Sequence, residues 1–298
     1  MVLVEDGSPD DAWEVCRELA ARHDKVHLFR HPNGDNRGAG ASRNLGMQKS
    51  SCEFIAFLDA DDYYLPGRFS AAREILDAAP DCEGVYEAVG YHLENEVGLE
   101  RWIGARRSPV EQLTTMSERV CPEDLWDALI SGRCGYFHLD GLVLRRNVLQ
   151  KSGYMADGLR LHQDTEFILR VAMTTKLSPG RLDEPVATVR VHDRNRISAP
   201  RSADQKYKDR MLMWMELYHW CKHGHLGEVQ SRIMSQMVEE TTSTGRMGDL
   251  SRRAFPRRAL RLFQLLTWLG RHPGMVIEPH LWRSIKGLAK SKARSAKE

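Results

Sequence analysis

No stretch of this chain stays apolar for the roughly 20 residues that a membrane-crossing helix needs, so no spanning segment is expected. A basic-then-apolar leader is also lacking at Met1, and a cytoplasmic setting is expected. The six cysteines (Cys16, Cys52, Cys82, Cys121, Cys134, Cys221) never fall in Cys-x-x-Cys spacing, which removes zinc and dithiol redox motifs from consideration. Buried, reduced thiols are the expectation. No internal repeat and no long low-complexity stretch is present. A large excess of charge is missing as well. Lys and Arg number 43 against 41 Asp and Glu, a net +2, and no nucleic-acid partner is expected. The charge is unevenly spread, however. From Ser251 to Glu298 there are eight Arg and four Lys against two Glu, a local +10 that leaves −8 for the rest. A basic end of this kind suits an anionic surface.

What is present starts with Phe54-Ile55-Ala56-Phe57-Leu58-Asp59-Ala60-Asp61-Asp62. The apolar run reads as a fully buried strand. It ends in three carboxylates within four positions. On an extended backbone Asp59 and Asp61 share a face. Like charges at a strand end are costly without a positive partner, and Mg²⁺ or Mn²⁺ favours carboxylate oxygen. The alternative is a solvated acidic turn. Upstream, Val2-Leu3-Val4 leads into Glu5-Asp6-Gly7-Ser8-Pro9-Asp10, a strand followed by a turn with helix-start chemistry. Asn36-Arg37-Gly38-Ala39-Gly40-Ala41-Ser42-Arg43-Asn44-Leu45-Gly46 opens a helix with small residues. Such an N-terminus attracts anions, and Arg43 adds a fork suited to phosphate or a nucleobase carbonyl. Downstream, Gln163-Asp164-Thr165-Glu166 places an acid at a helix start, and Val189-Arg190-Val191-His192 ends a β-rich run.

In this order the segments resemble the family 2 glycosyltransferases. The resemblance covers roughly residues 1 to 200, with Glu5 and Gln163 standing where that family usually has Asp and Glu. It implies an α/β fold of GT-A type, an open mixed sheet flanked by helices, over residues 1–200, with a helical extension and basic tail over 201–298. It also implies that one strand-helix unit normally lies ahead of the strand at Val2 to Val4. That unit's absence would leave a sheet edge exposed.

The implied activity is sugar transfer from a nucleotide diphosphate sugar, a UDP-sugar being expected, to an acceptor hydroxyl with inversion and with Mn²⁺ or Mg²⁺. Asp61 would hold the metal on the diphosphate and Asp59 the ribose or the metal. Asp6 would read the nucleobase, and Arg43 would contact the donor. Asp164 is expected as the general base, against the alternative of a helix cap. His192 is a further metal ligand or a partly exposed surface histidine. Tyr63 and Tyr64 either flank the sugar or pack. The acceptor would be a glycan or a lipid-linked molecule. A non-catalytic scaffold and a nucleotidyltransferase are the rival classes, the latter lacking the Gly-rich basic loop it would need.

Helical spacing predicts helices over Asp10 to Arg22, Phe69 to Ala79 and Arg146 to Ser152. Strands are predicted at Val26 to Phe29, Gly84 to Val89, His138 to Arg145 and Val186 to Val191. Residues 90–135 give mixed signals. Beyond Pro200, Tyr207 to Lys222 carries an apolar stripe, and Leu260 to Leu269 is apolar on a wide face. The second is expected to pack as a helix. The alternative is an interfacial helix with Trp268 at headgroup depth on anionic lipid. Lys286 to Lys297 reads as a polar, disordered tail.

Overall fold

The structure, a computed structural model, describes residues 1–94, 100, 113–192, 201–224, 226–242 and 257–286. Two compact units divide the chain, Met1–Pro200 and Arg201–Glu298.

In the first unit strands and helices alternate. β1 (Val2–Glu5) pairs in parallel with β2 (His27–Arg30), and α1 (Ala12–Arg22) connects them. α2 (Ala39–Lys49) leads to β3 (Phe54–Ala56) and then β4 (Tyr63–Tyr64). α3 (Ser70–Ala78) precedes β5 (Gly84–Tyr86) and β6 (Val89–Leu93). Then follow β7 (Leu113–Thr114), α4 (Pro122–Ser131) and β8 (Leu142–Arg145). The unit continues through α5 (Val148–Ser152), α6 (Gln163–Thr174), β9 (Leu177–Pro179) and β10 (Ala187–Val191). One sheet runs β3-β8-β5-β9 and another β4-β10-β6-β7. β8 is antiparallel to both of its neighbours, while β5–β9 and β10–β6 are parallel, so the sheets are mixed. α3 presses Ala72 and Leu76 onto Val85 and Val143 of the first of these sheets.

The sheet comes in three hydrogen-bonded pieces, and this changes the reading of the acidic strand. Ile55 and Phe57 are buried, whereas Phe54, Ala56 and Leu58 are exposed. The run is therefore buried on one face only, and β3 pairs with β8 alone among the described residues. β1 likewise pairs only with β2 among them. The strand also ends at Ala56. Asp59 and Asp61 lie in a turn closed by Asp62 N–H donating to the Asp59 carbonyl at 3.1 Å. Their proximity thus comes from a turn and not from a shared strand face. α1 has the expected spacing but buries no residue, and Val15 and Leu19 stay exposed. The segment read as one strand from Gly84 to Val89 is two strands broken at Glu87. In the segment from His138 to Arg145, the strand starts only at Leu142, after a 3-10 turn at Leu139–Gly141. All six cysteines are free, but Cys52 and Cys121 are exposed rather than buried.

The second unit is helical. α7 (Ala203–His223) buries Tyr207, Met211, Trp214, Leu217 and Tyr218, most of the stripe seen in sequence. α8 (Gly227–Thr242) packs against it, and α9 (Arg257–Arg271) packs against α8. Trp268 is only 3% exposed. It fills the interior of this unit, so it is not available at headgroup depth. A 3-10 turn at Pro273–Ile277 and a helical stretch over 279–286 follow. The tail predicted to be disordered lies outside the described residues beyond 286. Among the described residues no helix is long and apolar enough to cross a membrane.

Candidate active site

The turn after β1 is clamped onto the loop before α2. Both carboxylate oxygens of Asp6 accept backbone N–H groups, from Arg37 and from Gly38, each at 2.8 Å. Asn36 donates from its amide to the Asp6 carbonyl at 2.7 Å. His31, almost fully buried, places its Nε2 3.0 Å from Ser42 Oγ and 3.7 Å from Asp6. Gly7 has φ +66°, and a Cβ there would lie 2.3 Å from the Gly34 carbonyl oxygen, so the close approach demands glycine. Beside it, Glu5 is buried and ion-paired with Arg30 at 2.6 Å. Asp6 therefore fixes the entry to α2. Each of its oxygens retains acceptor capacity, because a carboxylate offers about four lone-pair sites.

α2 carries Arg43 to the acidic turn, where its Nη2 forms an ion pair with Asp59. Burial works against the guanidinium charge, yet Asp59, Asp164 and Asp140 together hold its pKa above the ordinary arginine value. Its Nη1 is buried and has no hydrogen-bond partner. Arg43 is thus the cation toward which three separate acids converge. Asp61 lies on the other side of the turn, its Oδ2 3.4 Å from His192 Nε2 at the end of β10. Asp62 accepts the Arg190 backbone N–H at 2.9 Å, which ties the turn to the same strand.

Asp164 occupies the first turn of α6 and accepts the N–H of Thr165 at 2.8 Å. The cap position itself is held by His162, whose φ is +61° and whose side chain makes no capping bond. Two devices fix this helix start. Phe57, just past β3, meets Phe167 edge-on at 6.1 Å. Arg170 is buried, ion-paired with Glu166 at 2.6 Å, and donates to the carbonyls of Ser152 and Tyr154. The loop entering α6 is therefore pinned to its second turn. Arg160, on that loop, donates to Asn36 at 3.2 Å and so reaches back to the α2 entry. The hydroxyl of Tyr136 is buried, and burial together with the Asp164 charge pushes its pKa well up.

One acid at this centre was not singled out from sequence. Asp140 is fully buried on the 3-10 turn before β8 and shares a hydrogen bond with Asp62. Burial, then the charges of Asp59 and Asp62, push its pKa up to about 9. Burial also raises Asp62. Burial and the neighbouring carboxylates thus favour the neutral, protonated form of Asp140 beside Asp62. Its backbone is placed by a buried pair. Arg68 donates to Glu87 at 2.9 Å and to the Asp140 carbonyl at 2.7 Å, with Tyr64 and Phe69 flanking the guanidinium. Arg181 also faces Glu87, and Glu87 N–H closes onto Gly141 at 2.9 Å. The sequence signal was a lone Asp inside the apolar run Phe137-His138-Leu139-Asp140-Gly141-Leu142. A buried acid needs a reason.

The structure brings Arg43, Asp59 and Asp164 to one centre, with Asp61 and His192 at its rim. Asp6 stands apart, at the α2 entry. Tyr64 packs, its hydroxyl donating to the Phe57 carbonyl at 2.6 Å, while Tyr63 is exposed beside His92. Among the described residues no group of three or more His, Cys, Asp or Glu forms a ready cation cage. Asp61 with His192 offers two ligands, which suits a hard cation that takes its remaining oxygens from phosphate and water.

Residues 1–97 match the family model described as glycosyl transferase family 2. An uncharacterized glycosyltransferase of Haemophilus influenzae is 23% identical over 178 residues, covering 59% of this chain and 55% of that protein. Another from Nostoc is 28% identical over 223 residues, covering 73% of this chain and 63% of its own. This chain therefore spans less than two thirds of either relative. Among solved structures, that of S. aureus TarS 1-349 in complex with UDP-GlcNAc matches with a TM-score of 0.56 at 16% identity, over 89% of this chain and 70% of that one. That likeness concerns the fold. Its first 97 residues are similar to glycosyl transferase family 2, and its fold is of the GT-A type.

Proposed function

We propose that the first unit moves a sugar from a nucleotide diphosphate sugar, a UDP-sugar in the first instance, to an acceptor hydroxyl with inversion. The observation that carries this reading is the ion pair of the partly buried Arg43 with Asp59, with Asp164 and Asp140 adding to the negative field around it. The family match and the UDP-GlcNAc bound by the S. aureus structure support a nucleotide-sugar donor.

Mn²⁺ or Mg²⁺ held by Asp61 and His192 would neutralise the diphosphate leaving group as the bond breaks. The chain's own residues do the rest. Arg43 presents the unpartnered Nη1 to anionic donor oxygens while Asp59 holds the other arm of the fork. Asp6 reads the base from the α2 entry. Asp164 takes the proton from the acceptor hydroxyl. Asp140 keeps Asp62 hydrogen-bonded without adding a further negative charge beside Asp59 and Asp61. The acceptor class is a glycan or a lipid-linked molecule, and the setting is cytoplasmic.

The experiment is nucleoside diphosphate release from UDP-sugars, with the parent and Asp164→Asn compared in UDP binding and in turnover. The variant should bind UDP like the parent and turn over roughly 10²–10⁴-fold more slowly. Turnover within a few fold of the parent would assign the base elsewhere.

A further inference from the structure

The end of the helical unit has an unusual surface. From residue 271 to residue 286 every exposed side chain is apolar or basic. Val276, Ile277 and Trp282 are 39%, 81% and 48% exposed. Arg271, Arg283 and Lys286 are the exposed charges. The single acid in this span, Glu278, turns inward. It accepts from Tyr218 at 2.8 Å and from Lys222 at 2.6 Å, so this span exposes no anion of its own. Met275, Leu281 and Ser284 are buried with it, which leaves the apolar knob on the outer side. The knob is one rigid feature, because the Trp282 indole N–H donates to the Val276 carbonyl at 2.9 Å. The sequence continues with Lys290, Lys292, Arg294 and Lys297 against one acid, Glu298.

A single exposed Ile costs little. A fixed Ile–Trp–Val knob on a span whose exposed charges are all cations is a surface with a partner. The charge selects an anionic one. Aromatic and aliphatic side chains beside Lys and Arg match the boundary of a bilayer, where the apolar groups enter the acyl edge and the cations meet headgroups. We propose that Val276, Ile277 and Trp282, flanked by Arg271, Arg283 and Lys286, dock this protein peripherally on anionic lipid. The anchor is this knob and not the buried Trp268. The inference stands apart from the donor-site reading, so either can fail alone.

The test is flotation of the full chain with vesicles of phosphatidylcholine alone and of phosphatidylcholine mixed with phosphatidylglycerol, at low and high salt. The parent should float only with the mixed vesicles and should be released by salt. Ile277→Asp should lower partitioning roughly tenfold or more. Arg283→Ala with Lys286→Ala should lower it about fivefold per charge. All three side chains are exposed, so melting temperatures should match the parent and serve as the folding control. A parent that stays soluble with mixed vesicles at low salt overturns the proposal. Ile277→Asp floating like the parent also overturns it, since binding would then lie elsewhere. A parent that sediments as a dimer and ignores vesicles, with Ile277→Asp a monomer, would give the knob to a second copy of the chain.

Discussion

Replacing Asp140 by Asn asks whether a neutral carboxylic acid stands among the carboxylates of the site. An unfolded aspartate titrates near 4, whereas in the folded protein Asp140 titrates at about 9. Between pH 5 and pH 8 the native state therefore holds a proton that the unfolded chain has lost. Raised above its unfolded value, this group stabilises the fold fully below about pH 4, and the contribution is lost as pH rises toward 9. The slope is about 1.4 kcal/mol per pH unit, or ~4 kcal/mol over the three-unit window. Asn keeps the shape and a donor for Asp62 but does not titrate. The melting temperature of Asp140→Asn minus that of the parent should therefore rise steadily from pH 5 to pH 8. For a domain of this size about 1 kcal/mol corresponds to roughly 2–4 °C, so the difference should change by an amount on the order of 10 °C. Titrating groups other than Asp62, which is coupled to Asp140, are common to both proteins and cancel. Thermal unfolding followed by circular dichroism in matched buffers measures it. A difference that stays constant with pH would show that Asp140 is ionised, and the neutral-acid account of the site would be wrong.

Arg68→Met removes the buried partner of Glu87 and orphans the Asp140 carbonyl. A loss of about 3–5 kcal/mol in denaturant unfolding is expected, and a loss below ~1 kcal/mol would mean that Arg181 alone neutralises Glu87. Gly7→Ala puts a Cβ 2.3 Å from the Gly34 carbonyl at a φ of +66°. It should cost roughly 1–3 kcal/mol and weaken UDP binding through the displaced Asp6 clamp, and unchanged stability would mean that the turn relaxes freely.

Much of the site was legible because its residues sit in short segments with their own local chemistry. Arg43 at a small-residue helix start and Asp164 in a helical first turn declare their elements in sequence. So does the acid run after an apolar strand. What joins them is long-range. Asp140 sits about 80 residues from Asp59 and 24 from Asp164 in sequence, and no local pattern marks it as their neighbour. Its role follows from burial, on a 3-10 turn whose Asp140 carbonyl is held by Arg68, itself paired with Glu87. The same limit explains the misread strand. Alternation along Phe54 to Leu58 is masked by uniformly apolar residues, and only the burial pattern shows that one face is open. In the helical unit, amphipathicity marked Trp268 as facing something apolar. It did not distinguish α8 from a bilayer, and the structure supplies α8.

The central claim is a donor site in which Asp61 and His192 hold a cation on a nucleoside diphosphate. Calorimetric titration of UDP into the parent and into Asp61→Ala, each with and without Mn²⁺, tests it most directly. The account predicts that Mn²⁺ strengthens binding in the parent and that Asp61→Ala loses this gain. Equal UDP affinity with and without Mn²⁺ in the parent, or parent-like affinity in Asp61→Ala with Mn²⁺, would contradict it.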